Sequence, residues 1–214
     1  MSTNIAHVIE QISAAGYSVH HDANFGALVE SIIEKDLLLY SKEGFNLSRA
    51  VLRNDLVPNV IKELLPEPVL VFCRIFGRTQ FIHSFMNRKH EKSIRMLIVW
   101  CWSNQTKAAL YSGSHLHHLN AVHAHNGALQ VSNDALQHDD IQQHLYHMES
   151  GGFAIMDARC AWQMTNGLGI LFGFAVPDEA KWWVPMPYPP ELQNTITNMM
   201  DGTGITFKAK YNDA

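Results

Sequence analysis

The sequence predicts an α+β fold that is mainly β, an antiparallel sandwich or barrel with helices gathered at its N-terminal end. Three observations carry this expectation. Helical periodicity is confined to the residues before Pro66, and strand-length apolar runs bounded by turn residues fill most of the rest. The chain has 214 residues, 47% apolar and 17% charged, which is ample for a sizeable core in one domain.

Residues 4–15 set Ile5, Val8, Ile9 and Ile12 on one helical face, and Gly16 stops that helix. Tyr17-Ser18-Val19 reads as a short strand. Residues 25–40 repeat the helical pattern with Phe25, Leu28, Val29, Ile32, Ile33 and Leu37. A third helix is expected over Leu56 to Leu65, closed by Pro66 and Pro68. Val69 to Phe76 is rich in β-formers and ends at Gly77-Arg78. Ser93 to Trp102 places Ile94, Met96, Ile98, Trp100 and Trp102 on one face and Leu97, Val99 and Cys101 on the other, a strand buried on both sides. Gly152 to Met156 and Ile170 to Val176 read as two more buried strands, and Thr203 to Tyr211 as another. The Pro-rich piece from Pro185 to Glu191 suits an extended surface segment.

Composition excludes several function classes. Sixteen Lys+Arg against 20 Asp+Glu give a net charge of -4, and the absence of a basic block argues against sequence-independent nucleic-acid binding. Cys73, Cys101 and Cys160 are widely spaced and form no CxxC pair, so reduced core thiols are expected rather than a disulfide framework. The N-terminus lacks the basic and apolar regions of a signal peptide. The longest apolar run, Ile94 to Trp102, is strand-length and interrupted by Arg95, so no membrane span is expected. A cytoplasmic protein follows as the expectation. P-loop, dinucleotide and nucleophile-elbow motifs are missing.

Thirteen histidines invite a metal-enzyme reading. His115, His117, His118, His123 and His125 lie close together, and His138, His144 and His147 follow. On a strand, His115 with His117, or His123 with His125, could chelate an ion, with Asp139 or Asp140 as the carboxylate of a two-histidine, one-carboxylate set. Against this, residues 113–147 are rich in Asn, Gln, Ser and Asp and read as a solvated or interface loop inserted between strands. Their spacing matches no zinc signature. Ser114-His115 resembles a nucleophile beside a base only by proximity, since adjacent strand residues point opposite ways. His90-Glu91 fails as a metal pair for the same reason.

Several segments taken in order resemble phytanoyl-CoA-dioxygenase-type iron and 2-oxoglutarate oxygenases, particularly their fungal terpenoid-tailoring (meroterpenoid) branch. HVIEQISAAGYSVHHDANFGALVESI is similar to that family's opening helix, turn, strand and helix. GRTQFIHSF, from Gly77 to Phe85, stands where the family carries His-x-Asp. SIRMLIVWCWSNQTKAALYSGSHLHHL resembles its central strand and following loop, with Ser112-Gly113-Ser114-His115 at the place of Pro-Gly-Ser-His. ESGGFAIMDARCAWQMTNGLGILFGFAV resembles the Gly-Asp turn and the strands that close the fold. The resemblance spans residues 5 to 178. It implies a double-stranded β-helix, a jelly-roll or cupin-like barrel, with residues 1–68 mostly helical and packed on it, a barrel core at 69–178 and a C-terminal extension at 179–214, all in one domain.

The departures from that family weigh more than the matches. His83 stands at the first ligand position, but Phe85 replaces the carboxylate. Trp162 falls where the distal histidine would be. Asn166 to Leu171 supplies no arginine for the cosubstrate carboxylate, and the next cation is Lys181. Fe(II) needs an anionic oxygen beside two imidazoles, and 2-oxoglutarate needs a bidentate cation. The resemblance therefore implies a degenerate triad at His83, Phe85 and Trp162, with no catalytic, cofactor-binding or metal residues in this chain. It further implies the role of a triad-less, non-catalytic pseudoenzyme subunit, as in talaromyolide-type heterodimeric oxygenases, whose homologous partner holds the Fe(II) and 2-oxoglutarate. Trp182, Trp183, Pro185, Met186 and Tyr188, together with the histidine loop, are the expected interface. The alternative is an active oxygenase or isomerase of secondary metabolism using His83 with the 115–125 histidines.

Overall fold

Asn4 opens the first helix by accepting a hydrogen bond from Ala6 N on its side chain. The computed structural model describes residues 4–35, 38–87 and 93–211. Helix α1 (Ile5–Ala15) buries Val8 and Ile12, with Ile5 and Ile9 partly covered beside them, and ends where Gly16 turns left-handed at φ 92. Strand β1 (Tyr17–His21) follows. Asp22 then caps α2 (Ala23–Ile33) through Asn24 N and Phe25 N. This helix is shorter than the expected 25–40, and Leu37 lies outside the described residues. The chain turns at Leu38, whose carbonyl accepts from Ser41 N, and Ser41 caps a new helix, α3 (Lys42–Arg53). The periodicity reading omitted α3, which buries Phe45, Leu47, Val51 and Leu52. Asn54 then accepts from Leu56 N and Val57 N, and α4 (Val57–Leu64) begins with Pro58 in its first turn.

Two six-stranded sheets follow. The first has the order β1, β9 (Gly152–Asp157), β4 (Met96–Trp102), β11 (Leu168–Ala175), β2 (Val69–Gly77), β13 (Thr206–Phe207), antiparallel except for the last pair. The second has the order β6 (Val122–His123), β7 (Leu129–Val131), β3 (Ile82–Ser84), β10 (Ala161–Asn166), β5 (Thr106–Ser112), β8 (Gln142–Met148), antiparallel throughout. A parallel pair, β12 (Met186–Tyr188) with β14 (Ala209–Tyr211), two helices, α5 (Pro177–Ala180) and α6 (Gln193–Met200), and a 3-10 turn at Pro190–Leu192 lie in the C-terminal part. The expected strand at Thr203–Tyr211 is thus two short strands in different sheets. Residues 113–147, expected as a loop, include β6, β7, most of β8 and two 3-10 turns.

Strand β4 explains how the layers stack. Its seven residues are all buried: Leu97, Val99 and Cys101 join the core under the helices, while Met96, Ile98, Trp100 and Trp102 face the second sheet. The first sheet therefore has an apolar core on each face, as the two-sided pattern of this strand implied. From the second sheet, Leu110, Met148, Trp162 and Met164 enter the inter-sheet core. Its outer face carries a smaller cluster that includes Ile82, Ala109, Tyr111, Leu119 and Val131. The fold is mixed α+β and rich in sheet, and among the described residues the two sheets do not close on each other through hydrogen bonds.

Candidate functional site

Strands β3 and β10 bring the three flagged positions together. His83 is the register partner of Trp162, and Phe85 lies two residues along the same face. The end of β3 is pinned because Phe85 N and Met86 N both donate to the Ala158 carbonyl in the turn between β9 and β10. That turn is itself fixed by a buried ion pair, in which Asp157 Oδ2 lies 2.6 Å from Arg159 Nη2 and Oδ1 accepts from Arg159 N and Nε.

Within this frame the rings fill the space between the sheets. Trp162 stacks on His83 at 5.1 Å and on Phe85 at 5.6 Å, and meets Phe76 and Trp100 edge-on at 5.4 and 4.8 Å. Phe72 packs on Phe85 at 5.3 Å. Phe85 and Trp162 are buried, the latter completely. Each such aromatic pair adds about 0.5–1.5 kcal/mol beyond its area term. The cluster carries polar penalties, since the indole N–H groups of Trp100, Trp102 and Trp162 and the Nδ1 of His83 are buried without a partner among the described residues.

His83 is held in its neutral form. The side-chain oxygen of Asn126 accepts from Ala128 N, which turns its amide nitrogen toward His83 Nε2 at 3.3 Å. Nε2 is then an acceptor, and burial lowers the imidazole pKa. An iron ion would find one engaged imidazole and two apolar rings at these positions, with no anionic oxygen among them. β11 carries no cation to hold a cosubstrate carboxylate. The residues present do not fit iron with 2-oxoglutarate at this centre.

The histidine-rich stretch is organised differently from the expected i, i+2 pairs. His115 is buried, and its Nε2 donates to the Ser13 carbonyl at 3.2 Å, so it does not share a ligand face with His117. Ser114 is no nucleophile: its hydroxyl donates to the Tyr111 carbonyl and accepts from Ala161 N. His118, His123, His125, His144 and His147 are exposed. His117 instead meets Asp140 and His138, whose donor atoms all lie within 4.8 Å of one another. The expectation of a chain with no metal-ligating group is at odds with this cluster. His83 joins no such group of three among the described residues, so the alternative site drawn from His83 and residues 115–125 is not assembled. His90 and Glu91 lie outside the described residues.

The expected interface residues separate into two kinds. Trp182 is 79% exposed, and Val184, two residues on, is 84% exposed. Trp183 is half-buried against Phe72, at 4.9 Å between rings. Met186 is half-buried, and Tyr188 is covered by Phe45 and Phe207 of this same chain. Tyr188 is therefore a core residue, because β12 carries it under the helices. Cys73, Cys101 and Cys160 are free thiols, and burial pushes Cys160 up to about 12, too high for a nucleophile at neutral pH. Among the described residues no helix is long and apolar enough to cross a membrane.

No protein-family model and no curated protein matches the chain. Solved structures do match. The epimerase SnoN in complex with Fe3+, alpha ketoglutarate and nogalamycin RO aligns at TM-score 0.56 and 10% identity, over 80% of this chain and 83% of its own. Apo HygX from Streptomyces hygroscopicus aligns at 0.56 and 10% identity over 87% and 93%, respectively. HygX with nickel and 2-oxoglutarate bound aligns at 0.54 and 10% identity over 97% and 95%. At these identities the likeness is one of fold: the chain has an architecture shared with non-heme iron, 2-oxoglutarate-dependent enzymes.

Proposed function

We propose that this chain is a catalytically degenerate dioxygenase-like subunit that binds and supports an active Fe(II)/2-oxoglutarate oxygenase in fungal terpenoid biosynthesis. The observation that carries the reading is the contact of His83, Phe85 and Trp162 in a solid aromatic core, where a working member of such a fold would place its metal. In this reading residues 1–214 form one double-stranded β-helix domain, a jelly-roll with its N-terminal helices packed on one sheet. The partner is a cytoplasmic homologue with an intact triad, and it supplies the iron and the cosubstrate. This chain contributes surface, with Trp182 and Val184 as its most exposed apolar groups in the stretch after α5.

Two measurements test this. Co-expression with a homologous oxygenase that carries His-x-Asp and a distal histidine is expected to give a one-to-one complex on size exclusion. The partner alone is expected to lose at least tenfold in turnover. Absence of a complex together with unchanged partner activity refutes the subunit role. Separately, the purified chain loaded anaerobically with Fe(II) is expected to retain no stoichiometric iron at the centre. Iron that is lost on His83→Ala refutes the degenerate-site reading.

A further inference from the structure

We propose that His117, His138 and Asp140 form a divalent transition-metal site at the edge of the second sheet, distinct from the filled centre around His83. The proposal does not depend on the subunit role. It rests on a placement that the strand register dictates. β5 ends at Ser112 directly opposite Gln142, where β8 begins. The chain leaving one strand and the chain entering the other therefore run side by side, although 113–141 makes a long excursion between them.

The backbone on both sides is fixed. Gly113, at φ 82, lies so close to the Asp140 carbonyl that a Cβ there would collide with it, so only glycine allows this approach. The 3-10 turn Ser114–Leu116 is anchored by the buried Ser114 hydroxyl and delivers His117, whose N–H donates to the Ser114 carbonyl. On the other side Ile141 N donates to the His138 carbonyl, closing a turn that presents His138 and Asp140 together.

The side-chain geometry is that of a chelate awaiting one rotation. His117 Nε2 lies 2.9 Å from both Asp140 oxygens. Imidazole nitrogen and carboxylate oxygen bind such ions at about 2.0–2.2 Å, so two ligands of a tetrahedral ion are about 3.4 Å apart. The His117 and Asp140 donors are within about half an ångström of that separation, so a small parting of the hydrogen-bonded pair would admit an ion. His138 stacks on His117 with ring centroids 4.1 Å apart and is exposed, free to turn its donor atom inward. Two imidazoles with one carboxylate select zinc, copper, nickel or ferrous ions over calcium or magnesium. The outward face of the cluster leaves the remaining coordination positions to water.

The test is calorimetric titration of the metal-stripped chain with Zn2+ alone, run beside His117→Ala, His138→Gln, Asp140→Asn and His83→Ala. The expected result is saturable binding of one ion per chain. Affinity falls at least tenfold in each of the first three variants and is unchanged in His83→Ala. Circular dichroism is expected to show the three variants folded, since Asp140 and His138 are exposed and His117 is only partly covered. Three results overturn the proposal: no saturable binding, diffuse binding of several ions that the three substitutions leave intact, or binding that vanishes with His83→Ala.

Discussion

Trp162→Ala empties the middle of the inter-sheet core, and its cost reports whether that core is solid. The indole has no exposed surface and touches His83, Phe76, Phe85 and Trp100. Truncating a core tryptophan costs about 3–5 kcal/mol, the spread reflecting how far the surroundings collapse. Two features place this case within the range. Four ring contacts are lost together, which pushes the cost up. The indole N–H has no acceptor, so its removal also relieves an unsatisfied donor worth about 1–3 kcal/mol. The two effects oppose, and a net loss of about 3–4 kcal/mol is expected. That is a large share of the roughly 5–15 kcal/mol by which domains are stable. Urea denaturation followed by circular dichroism measures it, with Trp162→Phe as the control that keeps most of the ring contacts and loses clearly less. A loss below about 1 kcal/mol is the size of an ordinary surface or peripheral change. Such a value would falsify the filled-centre reading, because it would mean that the space is loosely packed and could admit a ligand.

Burial lowers the pKa of His20, His83 and His115. The unfolded chain then binds more protons as pH falls through about 6.5, so stability is full above that value and declines toward pH 5. Denaturation midpoints across this window should fall with pH, and a flat profile would contradict the neutral, buried assignment. Asp157→Ala removes the carboxylate that accepts from Arg159 N and Nε and fixes the turn between β9 and β10, and is expected to cost about 1–3 kcal/mol. Thermal melting measures this, and a shift within error would show the pair to be dispensable. Gly16→Ala forces an L residue to φ 92 and sets its Cβ 2.7 Å from His115 Nδ1, so a loss exceeding the 1–2 kcal/mol (approximately) of the backbone alone is expected. An unchanged melting temperature would mean that the α1 terminus rearranges freely.

Legibility in the sequence followed burial. β4 could be read because all seven of its residues are apolar and both its faces meet cores. β5, β8 and β10 could not, since TKAALYS, QQHLYHM and AWQMTN mix polar and apolar residues without clean alternation. In β8 the reason is visible: it is the edge of its sheet, and only Met148 is fully buried. α3 was concealed by Gly44 and a polar composition, although Ser41 before Phe45, Ser48 and Val51 was a usable start signal. The contact of His83 with Trp162 depends on pairing two strands distant in the chain, which no local period encodes. Only the family resemblance placed those positions side by side. The cluster of His117, His138 and Asp140 was legible only in part, with His117 and Asp140 among the candidates but His138 not paired with them, for a related reason. Neighbouring histidines drew attention to His115 with His117, whereas the strand register brings in His138 and Asp140 from the far end of the excursion.

The two imidazole environments show why histidine number alone is a poor guide to metal chemistry. His83 is desolvated, engaged by Asn126 and stacked on an indole, so any cation reaching it would lose its water and gain no anion in return. His117 is partly solvated and already faces a carboxylate, so an ion there keeps water on one side and meets an anionic oxygen on the other. If the proposed reading holds, aromatic rings at this centre replace polar groups that would have to be held in place with packing that stabilises the fold. In the proposed reading the aromatic centre around Trp162 serves stability, and recognition or metal chemistry falls to the sheet edge and the exposed stretch around Trp182.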